Sequence, residues 1–541
     1  MDFKHIRLAI VEDNGVARIN LRNNLMHMGF EQIGCYSQGR ELRQAMRERH
    51  FDLVLMDYHL GMHKNGVEVI QELQQADLLK PSVAVIFITS DRMPLIFGQI
   101  VDVHPDSVVL KPYTIRNVQG VISNCLLARK MLADVYRAMD IEDYAEALTH
   151  LDGVDAENEI LRRGAIITKL RARLLLKLHR YADAASIYRE ILQKADKVIW
   201  ARWGLVVALF LNGDKDESMA ELDSMLDTSL TKDKACEWLA RIHISNTEYD
   251  KAQEYLDRIN ESELTLSTAR LKVHLYQMQE KIDEAIALLE RKRESNRHVR
   301  ERFAELSADL ARVYLARAES DPLTREESLK QARTIIGGTR RTMEDDVDLC
   351  KNYITALAYI MEGDEDKANS ILHTHAMLEF DSASTDTMAD AVKAWYAVGA
   401  TSTASEIQQQ VENRKDKLLD ENEKAMTQMR IAQNEISLGD KKSRSLEFNK
   451  RGLEAFSNDK LGDAIDLFYQ AHILFPAEPA FLINLFDAMV THQCPQHKRV
   501  KTLKIADELK GQSLSETNRN RFNEIRQRMI RDMHIHSQTS Q

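Results

Sequence analysis

An apolar run, Leu53-Val54-Leu55-Met56, ends on the carboxylate of Asp57. Such a run reads as a strand buried on both faces of a parallel sheet, and its carboxyl end is where open α/β sheets place their ligands. An isolated strand-end aspartate is as readily a cap for the following turn. Three more apolar segments also end in polar groups: Ile6 to Val11 in Glu12-Asp13, Val83 to Ile88 in Thr89-Ser90, and Val108-Val109-Leu110 in Lys111-Pro112. If the four strands lie parallel, as the helical segments between them require, their ends meet on one edge of the sheet. Carboxylates gathered there suit a hard divalent cation such as Mg²⁺, a lysine brings compact positive charge to anionic oxygens, and an aspartate oxygen can act as a nucleophile. Together these types serve phosphoryl transfer to a carboxylate, a reaction catalysed mostly by positioning and charge neutralisation.

Val-Glu12-Asp13-Asn, Leu-Met-Asp57-Tyr, Ile-Thr89-Ser and Leu-Lys111-Pro112, in this order and spacing, resemble the receiver (CheY-like) domain of two-component response regulators. The resemblance covers about the first quarter of the chain. It implies that Asp57 is the phosphoacceptor, assisted by the Thr89 hydroxyl and the Lys111 ammonium. It also implies Mg²⁺ bound directly by Asp13 and Asp57, by Glu12 through water, and by the backbone carbonyl of His59. The His59 side chain would line the mouth of the site. One position departs from the pattern: three residues before the lysine the family usually carries an aromatic or a histidine, and here stands Val108, whose β-branched side chain is stiff. The segment Gly61-Met-His-Lys-Asn-Gly66 also lacks the usual proline after the nucleophile.

The elements that must position these groups alternate. A helix from Val16 to Met28 carries Ile19, Leu21, Leu25 and Met28 on one face, with Gly29 as its stop. A strand over Gln32 to Tyr36, a helix from Gly39 to Arg49 with Leu42, Ala45 and Met46 inward, a third helix from Gly66 to Ala76 and a fourth after Pro94 complete a flavodoxin-like, doubly wound α/β domain over residues 1–125. The fifth helix begins near Thr114 and continues through Leu126, Met131, Val135 and Met139, with no Gly/Ser/Pro linker between Asn124 and Asp140, so a continuous helix, or a helix docked directly on the next, joins the following domain mechanically rather than by a loose tether.

A chain of 541 residues exceeds one core, and its 8 prolines and 20 glycines leave the remainder to helix-forming residues. The net charge of -11 disfavours general affinity for nucleic acid. Five scattered cysteines, Cys35, Cys125, Cys236, Cys350 and Cys494, argue for a reducing compartment without a disulfide framework. Met1-Asp-Phe-Lys-His-Ile leads straight into a core strand, and no apolar run reaches membrane-spanning length, so a cytoplasmic protein is expected.

Beyond the receiver a motif recurs. Arg180 to Tyr188, Asp214 to Leu222, Thr247 to Leu256 and Lys281 to Leu289 follow one another at offsets of 34, 34 and 33. Each carries a small residue (Ala184, Ser218, Ala252, Ala285) four positions before a large one (Tyr188, Leu222, Leu256, Leu289), which resembles tetratricopeptide repeats. Asp143 to Ala147 opens the series and Gly363 to Ala368 continues it; Gly452, Ala464, Phe468, Ala471 and Pro476 keep the family's spacings of 12, 4, 3 and 5. The spacing breaks between Arg291 and Gly338. The resulting division is TPR-like helical repeats over 126–406, a charged helical connector over 407–440, and a C-terminal TPR-like unit with capping helices over 441–541. This is an all-α solenoid whose expected output is protein binding.

Arg291-Lys-Arg293, Arg297, Arg300 and Arg302 form a basic stretch that is more readily a solvated face interleaved with Glu294 and Glu301 than a nucleic-acid site. His492, Cys494 and His497 make no complete metal set, and His534-Ile-His536 belongs to a frayed tail. No Walker loop, metal-ligand helix or nucleophile elbow marks a second catalytic domain, so a signalling protein rather than an enzyme is expected. Its partners would be a histidine kinase or phosphotransfer protein and a signalling protein bound by the repeats. A regulator that competes for phosphate or inhibits a kinase is the alternative that Val108 favours, and a nucleic-acid-binding regulator is the remaining one.

Overall fold

The computed structural model describes residues 3–539 except 62–63, 91–99, 101–102, 158–160, 340–344, 381–382, 418–420, 476–477, 499, 512–513 and 515. The helix expected after Pro94, and Pro476, lie outside the described residues. The chain divides into two compact units, Met1–Leu306 with Leu418–Glu423, and Ser307–Lys417 with Lys424–Gln541.

In the first unit, β1 (Arg7–Val11), β2 (Gln32–Tyr36), β3 (Leu53–Asp57), β4 (Ala84–Thr89) and β5 (Ser107–Leu110) pair in parallel in the order β2-β1-β3-β4-β5. This is the doubly wound, flavodoxin-like order. Helices α1 (Gly15–His27), α2 (Gly39–Glu48), α3 (Gly66–Gln75) and α4 (Ile115–Met131) cover the sheet. Every residue of β3 and β4 is buried because alternate side chains enter different cores. Val54, Met56, Val85 and Phe87 pack with Leu42, Ile70 and Leu73 of α2 and α3. Leu53, Leu55, Ile86 and Ile88 pack with Leu21 and Leu25 of α1 and Val118 and Ile122 of α4. Local chemistry sets the helix ends. Asn14 Oδ1 accepts from the amides of Val16 and Ala17 at 3.0 Å, and Asn65 and Glu68 close a capping box on α3.

Of the two joins expected out of the receiver, a continuous helix or a helix docked directly on the next, the structure has the second. α4 stops at Met131, Leu132 takes φ -100° and ψ 21°, and α5 (Ala133–Asp140) follows at once. The break is where packing changes hands: Leu126 belongs to the receiver core, whereas Leu132 and Val135 enter the first core of the repeats.

Helices α6 (Tyr144–Glu157), α7 (Leu161–Lys177), α8 (Tyr181–Lys194), α9 (Ile199–Asn212), α10 (Lys215–Met225), α11 (Lys232–Ser245), α12 (Tyr249–Asp257), α13 (Leu266–Met278), α14 (Ile282–Ser295) and α15 (Arg300–Ser320) continue as helix pairs. Within successive pairs the turn is built the same way. Glu142, His179, Gly213, Thr247 and Glu280 take positive φ. The next amide reaches back five residues, as from Arg180 to the Leu175 carbonyl and from Glu248 to that of His243, both at 2.9 Å. This is the Schellman closure, and it occurs here mostly without the glycine that usually supplies it. Ala147, Ala184, Ser218, Ala252 and Ala285 are fully buried, as are Leu151, Leu222, Leu256 and Leu289 four positions on, which is the small-then-large packing that the recurring motif predicts.

The second unit contains α16 (Arg325–Gly337), α17 (Asp345–Glu362), α18 (Glu365–Leu372), α19 (Thr385–Ala397), α20 (Thr401–Lys417), α21 (Glu421–Ser457), α22 (Leu461–Leu474), α23 (Pro479–Thr491), a two-strand ribbon of β6 (Gln496–His497) and β7 (Val500–Lys501), α24 (Thr502–Gly511) and α25 (Glu516–Thr539). α25 therefore runs on through His534 and His536. Trp395 donates its indole N–H to the Tyr353 hydroxyl at 3.1 Å inside one core, and Phe468 and Phe486 anchor another. Among the described residues no helix is long and apolar enough to cross a membrane.

Candidate functional site at the carboxyl edge of the receiver sheet

Parallel pairing brings the ends of β1, β3, β4 and β5 together. Glu12 follows β1, its amide donating to the Tyr36 carbonyl at 3.1 Å, and Asp57 ends β3. Thr89 ends β4, fully buried, and its carbonyl accepts the Lys111 amide at 2.7 Å. One ligand oxygen from each of Glu12, Asp13 and Asp57 lies within 4.8 Å of the others. The Lys111 ammonium bridges two of these acids, 2.8 Å from Glu12 Oε2 and 2.7 Å from Asp57 Oδ2.

The electrostatics follow from this geometry. Glu12 and Asp57 are 4% and 5% exposed, so both are largely cut off from water, while Asp13 faces solvent. Burial holds the Glu12 carboxyl above its ordinary range; the Lys111 hydrogen bond opposes this and the charge of Asp57 adds to it. Burial pulls the Lys111 ammonium down, but its bonds to Asp57 and Glu12 outweigh that and leave it raised, so it remains charged. Three carboxylates against one ammonium leave an excess of negative charge among hard oxygen donors. That donor set fits Mg²⁺, which the carboxylates of Glu12, Asp13 and Asp57 are placed to hold. The His59 amide lies 3.4 Å from Asp57 Oδ1, which places its peptide at the mouth of the site.

Several supporting residues escaped the sequence reading. Arg18 Nη1 bonds the backbone carbonyls of Glu12 at 2.5 Å and Asp13 at 3.3 Å, steering the acidic pair from the second turn of α1. Gly61 takes φ 66°, which favours glycine, and a Cβ there would come 2.8 Å from Asp13 Oδ2, so a side chain would push that carboxylate aside. A Cβ on Gly66 would strike the Asp57 carbonyl at 2.3 Å. The glycines of the Gly61-to-Gly66 segment were the available signal; the role of Arg18 had none, because only tertiary folding turns it toward those carbonyls. Val108 lies opposite Phe87 in the β4/β5 register and packs against the α2/α3 core.

The other clusters resolve into structural contacts. Arg291 pairs with Glu261, Arg297 with Glu294 and Arg302 with Glu68. Cys494 Sγ lies 3.2 Å from the Gln496 carbonyl and His497 lies 3.1 Å from Asp466. Among the described residues, the acids at 12, 13 and 57 are the group placed to hold a metal ion.

Comparison with known proteins finds two family matches along the chain. Residues 8–123 match the response regulator receiver domain and residues 175–230 match the tetratricopeptide repeat. A probable chemotaxis protein CheY of Rhizobium etli is 25% identical over 117 residues, covering 22% of this chain and 89% of that protein. The signal receiver domain of a modulated diguanylate cyclase from Desulfovibrio desulfuricans G20 is 27% identical, with a TM-score of 0.21 over 23% of this chain and 95% of that one. Chemotaxis protein CheY4 of Vibrio cholerae is 15% identical, with a TM-score of 0.21 over 22% of this chain and 98% of that one. The chain thus carries the receiver domain of a CheY-like response regulator at residues 8–123 and a tetratricopeptide repeat at 175–230, followed by further helices.

Proposed function

We propose that this protein is a phosphorelay response regulator whose output is protein binding through its helical repeats. The observation that carries the reading is the Lys111 ammonium bridging Glu12 and Asp57 beside Asp13, a constellation with the charges that an acyl phosphate and a divalent ion require. An Asp57 oxygen attacks the phosphorus of a phosphohistidine on a histidine kinase or phosphotransfer protein. The P–N bond breaks, its electron pair goes to the departing imidazole nitrogen, which takes up a proton, and an O–P bond forms on Asp57. Asp13, Asp57, the His59 carbonyl and, through water, Glu12 would hold Mg²⁺, which would supply charge neutralisation between the carboxylate and the phosphoryl oxygens. Lys111 then turns from Asp57 to a phosphoryl oxygen, and the Thr89 hydroxyl donates to another. The chain catalyses only its own phosphorylation and dephosphorylation. In this reading residues 1–125 receive the signal, 126–406 and 441–541 bind partners, and 407–440 connect them, in the cytoplasm.

Treating the full chain with acetyl phosphate and Mg²⁺ tests the reading. Intact mass should show one added phosphoryl group in the wild type and none in Asp57→Asn, and an unlabelled wild type would overturn it. Val108 supports a second reading. A stiff valine packed against the core cannot swing to report phosphorylation, so the protein would divert phosphoryl groups or inhibit a kinase instead. A kinase assay with a competing receiver separates the two, because a diverter slows labelling of the competitor.

A further inference from the structure

A group of cations gathers at the amino edge of the receiver sheet, the edge opposite Asp57. Asp106 marks this edge. Its Oδ2 accepts the Val85 amide at 2.8 Å near the start of β4, and Arg129 grips both of its oxygens at 2.9 and 2.7 Å. Two residues earlier His104 is exposed, and Lys169, Arg173 and Lys177 of α7 and Lys234 of α11 lie within electrostatic reach of its ring. The three cations of α7 follow one another at four-residue steps, which sets them along one side of that helix. α9, between α7 and α11 in the chain, contributes two aromatic rings. The Lys169 ammonium lies 5.8 Å from the centre of the Trp200 ring, and the Lys234 ammonium 4.8 Å from that of Trp203.

Lys169 and Arg173 are half-buried, and among the described residues neither has a hydrogen-bonding or ion-pairing partner. The acid within reach of both, Asp106, is already engaged by Arg129. Burial and the charge of Arg173 pull the Lys169 ammonium down to about 8, and burial also pulls the Arg173 guanidinium below its ordinary value. Like charges held together and partly out of water repel one another at a cost in stability. An anion between them turns that repulsion into attraction.

We propose that Lys169, Arg173 and Lys234, with His104 facing them, form a binding site for the diphosphate group of a small anion. Arg173 presents a planar fork suited to two phosphoryl oxygens, and Lys169, about 6 Å away along the helix axis, brings a point charge to a second phosphoryl group. The positive groups come from both the receiver and the repeats, so they converge on a compact group. A nucleic-acid strand or an acidic peptide calls instead for charges spaced along an open groove. The half-buried Trp200 ring beside Lys169 offers an aromatic face to a base, which favours a nucleoside diphosphate over inorganic pyrophosphate.

Calorimetric titration of the full chain at low ionic strength without Mg²⁺ tests the site, with ADP, GDP and inorganic pyrophosphate as probes. All three should bind, the nucleotides more tightly, and Arg173→Met and Lys169→Gln should each weaken binding roughly tenfold or more. Asp57→Asn should bind as wild type does. Lys169→Gln keeps the test decisive should Arg173→Met fail to fold. Pyrophosphate binding as tightly as the nucleotides upholds the diphosphate site and removes Trp200 from it. Absence of binding by every probe, or affinity unchanged in both α7 variants, overturns the proposal. Loss of binding in Asp57→Asn would put the ligand at the other edge of the sheet, with the same result. A glutamate-rich peptide that binds more tightly than all three probes, and loses that binding in Arg173→Met, would make the occupant a protein and also overturn it.

Discussion

Lys111→Met removes the ammonium between Glu12 and Asp57 while keeping most of its volume, and so exposes the repulsion that the lysine now offsets. With ligand oxygens within 4.8 Å, two unit charges repel by about 3.5 kcal/mol at an effective dielectric constant of about 20. Glu12 is already held above its ordinary range by burial and by Asp57, and losing the Lys111 bond pushes it further up. A carboxyl raised in the folded state binds its proton more tightly there than in the unfolded chain. Its stability contribution is therefore complete at low pH and is lost as the pH climbs through the raised value. The variant should be close to wild type near pH 5 and less stable by about 3 kcal/mol near pH 8, and millimolar Mg²⁺ should restore much of that loss by replacing the missing positive charge. Hydrogen exchange in peptides spanning β3 and β4 of the full chain measures this locally. A loss of equal size at both pH values, indifferent to Mg²⁺, would show that Lys111 acts through packing and would refute the electrostatic reasoning.

The second unit carries an acid-sensitive group of opposite sign. His472 in α22 is 5% exposed, its Nδ1 has no hydrogen-bond partner among the described residues, and burial pulls its imidazole down to about 4. The unfolded chain takes up that proton first as the pH falls below about 6.5, so stability should drop by about 2 kcal/mol between pH 7 and pH 5; His472→Leu should abolish that slope in denaturant titrations. Gly452→Ala would place a Cβ 2.7 Å from the Phe468 ring. Overpacking of this kind should cost about 1–3 kcal/mol, and Gly452→Ala combined with Phe468→Leu should recover part of it in the same titration.

Two periodicities carried most of the architecture in the sequence. Apolar runs ending in Glu12-Asp13, Asp57, Thr89 and Lys111 specify buried parallel strands, because only strands covered on both faces can be apolar without alternation. The small-then-large spacing at Ala184 and Tyr188, repeated through Ala285 and Leu289, marks helix pairs, because close helix contacts demand small residues at fixed positions. Both signals are local, one element at a time, so a single chain can be read for them. Distance along the chain hides the rest. Nothing near Glu12 announces that Arg18 holds its carbonyl, and the basic stretch at 291–302 read as a solvated face although Arg302 reaches Glu68, 234 positions earlier. The break at Leu132 was equally silent, since both sides are good helix formers and only the change from one core to another ends α4 there. Sequence alone determined which residues carry charge and which elements present them. Tertiary structure decided which charges meet, because ion pairs form between whichever surfaces burial of the apolar faces brings together, and that depends on the whole chain at once.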